Sequence, residues 1–263
     1  MKTEWDYTER AQTYDMRADY SQKAVNKLLQ KTGCSPDKPV ADIGAGTGKL
    51  SKMLLNFGLT VSAVEPNDNM RKYGIENTKN KSISWSEGTG ENTGLDDSLV
   101  YAAFFGSSFN VVNQQMALKE VSRILVPGGW FGCMWNHRDV EDPLQKEIEN
   151  IITSFLPNYD YGLRRQNPSS EISDSGLFSK VFHIEERFNV SMKTTDIVDA
   201  WKSHDTLFRQ SDGKFSDIIK EISNILTAEE YLVPYFTRIW FSNCLVEKQD
   251  WRSEAYKWSQ NTI

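Results

Sequence analysis

The sequence predicts an α/β fold, a mostly parallel sheet with helices on both faces and an added helical cap, and three observations carry that expectation. Short apolar segments alternate with amphipathic ones from residue 40 to residue 136, the rhythm of βαβ units joined by right-handed crossovers. A glycine-rich turn, Gly44-Ala45-Gly46-Thr47-Gly48, leads from the first apolar segment into an amphipathic one, and such strand-to-helix turns at a sheet edge are where open α/β sheets hold ligands. Beyond Asn136 the alternation gives way to helices and long β-rich segments, which marks a cap.

The first segment, WDYTERAQTYDMRADYSQKAVNKLLQKTG, reads as helical: Ala24, Val25, Leu28 and Leu29 make an apolar stripe, Ser21 is placed to cap it and Gly33 to stop it. Ahead of the stripe, Tyr7, Arg10, Tyr14, Arg17 and Tyr20 recur three or four apart, a spacing that gathers them on one helix face. PVADIG is the first strand, and after the glycines Leu50, Met53, Leu54 and Phe57 face inward on a helix stopped by Gly58. LTVSAVEP is the second strand and a helix starts from Asn67. SISWSEGTGENTGL is a third strand with a polar exit, and LVYAAFFGSSF a fourth. Asn113 caps a helix that bears Leu118, Val121, Ile124 and Leu125 and stops at Pro127-Gly128-Gly129, before a fifth strand, WFGCMWN.

In the cap, Asp142-Pro143 opens a helix with Leu144, Ile148, Ile151, Ile152 and Phe155 on one side, ended by Pro157. A loop rich in Tyr, Arg and Ser leads to KVFHIEERFNV, read as a strand. Helices follow around TTDIVDAW and KFSDIIKEISNIL, then a last β-rich segment, VPYFTRIWFSNC. The expected organisation is one domain over 1–263, with a helical lid (1–35), a core (36–136), a cap with the sixth strand (137–232) and a closing strand and tail (233–263).

Composition narrows the function. No apolar run approaches a membrane span and the N-terminus lacks a signal-peptide core, so a cytoplasmic protein without a membrane partner is expected. The net charge of −6 and a pI near 5.3 argue against a phosphate-tracking surface and hence against nucleic acid. Cys34, Cys133 and Cys244 are few and odd in number, which suits reduced thiols, and with His137, His183 and His204 they make no zinc-ligand spacing, so no metal is expected.

The glycine turn fails two familiar templates. A phosphate-binding P-loop needs a glycine where Ile43 stands and Ser or Thr where Leu50 stands. The dinucleotide fingerprint needs glycine at its sixth position, which is Lys49; the glycine falls one earlier, at Gly48. What remains is a turn that brings backbone close to a ligand at Gly44 and Gly46. Glu65, at the end of the second strand, is placed to accept both hydroxyls of a ribose.

In VADIGAGTGKLS, VEPNDNM, EGTGENTGL and ALKEVSRILVPGGW, taken in that order, the chain resembles the class I S-adenosylmethionine-dependent methyltransferases. TYDMRADY and WNHRD make it similar to their small-molecule branch, the trans-aconitate-type enzymes. The resemblance implies a Rossmann-like sheet of seven strands, the last antiparallel and inserted beside the fifth, with S-adenosylmethionine as cofactor and a small-molecule acceptor. It implies that Asp42, Gly44, Ala45 and Gly46 line the methionine end, that Glu65 holds the ribose, and that Pro66 and Met70 pack near the adenine. Gly90 and Glu91 would border the adenine edge, Gly106 and Ser107 would lie below the methionine part, and Tyr14 and Arg17 would close over it.

One departure stands out. Where many relatives have Gln-Ala-Phe-His-Trp after the fourth strand, this chain has Ser107-Ser108-Phe109-Asn110-Val111, and an amide is no base near neutral pH. Methyl transfer from a sulfonium needs mainly alignment and exclusion of water. Candidate bases, where the acceptor needs one, are His137, Asp139 and His204. Candidate acceptor-binding residues are Phe109, Asn110, Tyr159, Arg164, Arg165, Trp201 and Arg209; arginines there suit a carboxylate. The rival readings are a non-catalytic S-adenosylmethionine-binding protein and a nicotinamide oxidoreductase.

Overall fold

The computed structural model describes residues 18–79, 81–160 and 166–245, apart from the Asp205 side chain. A single seven-stranded sheet runs through it in the order β3-β2-β1-β4-β5-β7-β6. The first five strands are β1 (Val40–Ile43), β2 (Val61–Val64), β3 (Ile83–Ser86), β4 (Val100–Gly106) and β5 (Leu125–Arg138), all mutually parallel. β7 (Glu230–Asn243) lies antiparallel between β5 and β6 (Phe182–Lys193). This is the inserted antiparallel strand that the resemblance implied.

Strand alternation sorts the core onto two faces. Ala102 and Phe104 of β4 pack with α1 (Gln22–Thr32) and α2 (Lys49–Asn56), whereas Ala103 and Phe105 pack with α4 (Gln114–Ile124) and α6 (Ser169–Asp174). α3 (Asp68–Asn77) covers the edge beside β3, where Gly74 lies so close to Trp85 that a Cβ there would sit 2.1 Å from its ring. A separate apolar cluster forms the cap, from Ile148 and Ile152 of α5 (Pro143–Phe155), Ile197 and Trp201 of α7 (Thr194–Lys202), Leu207 of α8 (Asp205–Gln210), and Ile218 and Ile222 of α9 (Phe215–Ile225), against Val233 and Tyr235 of β7.

Local chemistry sets the boundaries. Ser21, Asn67, Asn113 and Asp142 each cap a helix by accepting main-chain N–H groups, and Gly33 ends α1 in the left-handed conformation.

Five expectations need correction. Residues 18–20 are not helical, because the carbonyls of Ala18 and Asp19 are taken by the Asn136 side chain and the Ser21 N–H by Thr237. α4 ends at Ile124 instead of at Pro127: Leu125 turns extended and pairs with Val100, so Pro127-Gly128-Gly129 falls inside β5 at a shift in register. Between the predicted cap helices lies α8, and α6 lies in the segment read as loop. β7 begins at Glu230, three residues before the predicted start, where Glu230 pairs with Lys193. Tyr7, Arg10, Tyr14 and Arg17 lie outside the described residues, as do Arg164 and Arg165.

Candidate functional site

The parallel strands all end on one edge of the sheet, and a cleft of about 140 Å³ opens there. Its sheet wall carries Asp42, Gly44, Ala45, Leu50, Gly106 and Ser107; its cap wall carries Arg138, Gln145, Trp201, His204 and Tyr235.

The glycine turn is pinned to β2, with the Gly44 and Ala45 N–H groups both donating to the Val64 carbonyl. Gly44 has φ of +68° and a Cβ on it would lie 2.6 Å from Ser108 Cβ, so this position admits only glycine without a shift of its neighbours. Ser108 in turn donates to the Ile43 carbonyl at 2.6 Å.

Two buried acids flank the turn. Glu65 accepts from the Gly46 N–H at 2.8 Å through one oxygen and from the Asn67 N–H at 2.9 Å through the other. Burial raises its pKa, and those two N–H groups work against the rise. Asp42 is buried to 1% exposure; Ser51 donates to its Oδ2 at 2.6 Å, and its Oδ1 has no hydrogen-bond partner. Desolvation, offset in part by Ser51 and reinforced by the nearby Glu65 charge, pushes its pKa up to about 7.

Over the same edge passes the segment 18–21. Asn136, on β5, donates to the Ala18 and Asp19 carbonyls at 3.0 and 2.9 Å and accepts from Thr237 Oγ1 at 2.6 Å, while Thr237 accepts from the Ser21 N–H at 2.8 Å. Tyr20 then meets Ser107, hydroxyl to hydroxyl at 2.9 Å. Ser107 holds the left-handed conformation, φ +63°, in a non-glycine residue, a strained backbone of the kind found at ligand clamps.

The remaining expected residues divide. Pro66 and the buried Met70 stand beside Glu65 at the start of α3, and Asn67 Oδ1 accepts from the Met70 N–H. Gly90 packs where a Cβ would lie 2.8 Å from Val112, and Glu91 accepts from the Asn113 N–H at 2.6 Å. His137 and His204 line the cleft. His204 accepts from the Leu207 N–H through Nδ1 at 3.3 Å and stacks on Trp201 with ring centres 5.2 Å apart. With Nδ1 accepting, the neutral ring carries its proton on Nε2, so it faces its surroundings as a donor.

Asp139 departs from its expected role as a base. Arg187 donates to it at 2.9 Å, and that bond holds its carboxyl below the usual range. Phe109 and Asn110 depart from acceptor binding: Phe109 is fully buried against Phe105 and Phe131, and Asn110 accepts from the Trp135 indole at 2.9 Å. Tyr159 packs on the cap core, and Arg209 is exposed on α8; neither lines the cleft. Conversely Tyr20, Asn136, Arg138, Gln145 and Tyr235 line it without having been assigned to it. A signal existed for two of them, since Asn136 and Arg138 leave a strand on the edge where its parallel neighbours also end.

The residues fit S-adenosylmethionine. Glu65 keeps lone pairs for a ribose diol, and the unpartnered Asp42 Oδ1 offers a buried acceptor to an ammonium. Among the described residues, no group of three His, Cys, Asp or Glu is placed to hold a metal ion, and no helix is long and apolar enough to cross a membrane.

Comparison with known proteins agrees. Residues 41–133 match the family model described as a methyltransferase domain. An uncharacterised methyltransferase of Mycobacterium bovis is 35% identical over 136 residues, 52% of this chain and 54% of that protein. A ubiquinone/menaquinone biosynthesis C-methyltransferase of Caulobacter vibrioides is 27% identical over 166 residues, 56% of this chain and 65% of that protein. The chain thus spans about half to two thirds of the length of these relatives. In fold, it resembles a putative type II methyltransferase from Anaeromyxobacter dehalogenans, with a TM-score of 0.56 and 16% identity over 86% of this chain and 97% of that one. The YcgJ protein of Bacillus subtilis gives a TM-score of 0.54 at 14% identity, over 86% of this chain and all of that one. Residues 41–133 are therefore a methyltransferase domain of the class I fold, whose cofactor is S-adenosylmethionine.

Proposed function

We propose that this protein transfers a methyl group from S-adenosylmethionine to a small-molecule acceptor bound between the sheet edge and the cap. The observation that carries this reading is a single cleft walled on one side by the glycine turn and on the other by Arg138, Trp201 and Tyr235 of the cap. A cleft closed over by a cap suits a small acceptor better than a polymer, and the acidic pI opposes nucleic acid.

When bound, the cofactor supplies a methyl group already activated on a sulfonium. The chain's own work is to hold and exclude. Glu65 accepts from the ribose hydroxyls, Asp42 accepts from the ammonium, and the segment 18–21 closes the opening against water. The cap sets the acceptor in line, which supplies most of the catalysis. Asp139 is engaged by Arg187 and His204 presents a donor, which leaves His137, on the cleft lining, as the candidate base where an acceptor needs one.

The test is transfer of labelled methyl from the cofactor to a metabolite extract, beside calorimetric titration with S-adenosylhomocysteine and with NAD. Label in a small product is expected. Tight homocysteine-adduct binding without any transfer favours a binding protein, and affinity for NAD alone ends the methyltransferase reading.

A further inference from the structure

At the exit of β5, the Arg138 guanidinium lies 4.2 Å from the centre of the Trp201 ring and 5.9 Å from that of Tyr235. Among the described residues it makes no ion pair. Among the described residues, Lys49 is engaged by Asp19 and Arg187 by Asp139, each at 2.9 Å. A guanidinium stacked on aromatic rings spends its faces and leaves its N–H edge for an acceptor.

Trp201 adds a second, independent donor. It is 4% exposed, and its indole Nε1–H is buried without a hydrogen-bond partner. Native proteins rarely leave such a group unpaired. His204 stacks on the same indole and fixes its plane. Both residues line the cleft, and an open guanidinium edge beside an unsatisfied indole N–H suits a group that only accepts, which is an oxyanion. The planar guanidinium edge matches the two oxygens of a carboxylate.

We infer that Arg138 and Trp201 recognise one carboxylate of the acceptor, and that this carboxylate is a handle while a different atom of the acceptor is methylated. The inference rests on the methyltransferase reading above. A carboxylate held by a guanidinium fork and an indole N–H has up to three of its four lone-pair sites engaged and its charge dispersed, so it orients the molecule and is a weaker nucleophile than a free one.

The experiment titrates the protein loaded with S-adenosylhomocysteine against acetate, butyrate and benzoate, each beside its primary amide, and against methyl phosphate. At least one acid should bind about tenfold tighter than its amide. Arg138→Gln should abolish that preference, and Trp201→Phe, which keeps a ring and drops the N–H, should weaken it several-fold. Affinity for S-adenosylhomocysteine should stay within about twofold of wild type in both variants. Absence of binding by every acid, acids no better than amides, an undiminished preference in Arg138→Gln, or methyl phosphate binding tighter than every acid overturns the inference. So does an Arg138→Gln variant that loses S-adenosylhomocysteine and the acids alike, because the arginine then serves the cofactor's own carboxylate.

If wild type fails to bind S-adenosylhomocysteine, the methyltransferase reading falls, and the same titrations on unloaded protein still decide the carboxylate site. The handle is read from turnover with the acidic fraction of a metabolite extract. Labelled product should remain anionic and survive mild alkali, whereas label released as methanol marks a methyl ester and overturns it.

Discussion

On the sheet side of the cleft the glycine turn is aimed by the main chain: it is fastened to the Val64 carbonyl and, behind the residues that line the cleft, its Gly46 N–H is held by Glu65, which the Asn67 N–H holds in turn. On the cap side polar groups are aimed by side chains that meet across the sequence, Arg138 of β5 lying over Trp201 of α7. The first wall changes shape only if the backbone moves. The second can be rebuilt by substitution, since its cluster of Ile148, Leu207, Ile218 and their neighbours is separate from the two cores on the sheet. A constant ligand belongs against the fixed wall and a variable one against the other.

The harshest way to break that contrast is Gly44→Ala. The left-handed backbone and the 2.6 Å approach to Ser108 should together cost about 2–5 kcal/mol, read as a lower urea midpoint; a stable, cofactor-binding Ala variant would show that the wall is not fixed. Next comes Glu65→Ala. Loss of the ribose hydrogen bonds should weaken S-adenosylhomocysteine by about 1.5–3 kcal/mol, roughly 10–150-fold, and unchanged calorimetric affinity would remove Glu65 from the site.

A smaller effect follows from Asp42, whose pKa stands at about 7 in the free protein. An ammonium prefers the ionised carboxylate, so binding releases a proton and tightens as pH rises, by about tenfold from pH 6 to 8. Stability of the free fold runs the other way: between the unfolded pKa and 7 the folded chain holds a proton that the unfolded chain has lost, so this group's contribution falls as pH rises. Asp42→Asn should flatten both slopes, and a binding slope that persists in it would refute the assignment.

The smallest effect is expected at Asp139→Asn. Its partner Arg187 has a side chain 53% exposed, so stability should drop by no more than about 1 kcal/mol. Turnover should stay within a few-fold; a fall of about 10²–10⁴ would restore Asp139 as a base.

The same contrast explains what could be read in advance. Gly44, Gly46 and Glu65 lie within 22 consecutive residues, where spacing and backbone demands leave a pattern; the parallel sheet followed from the alternation, and the antiparallel strand beside the fifth from the resemblance. Arg138, Trp201 and Tyr235 come together only through the antiparallel insertion of β7 and the docking of α7, which no local periodicity encodes. The end of α4 was missed for a related reason: Pro127-Gly128-Gly129 punctuates a strand because Leu125 had already found a partner in Val100, so tertiary pairing overrode the breaker signal.

The bond from Ser21 to Thr237 joins positions 216 apart. During synthesis at about 5–20 residues per second, segment 18–21 leaves the ribosome some tens of seconds before the strand that fastens it. Asn136 and Ser107, which also hold that segment, are made before Thr237, so the fastening is completed by the latest-made of its three partners.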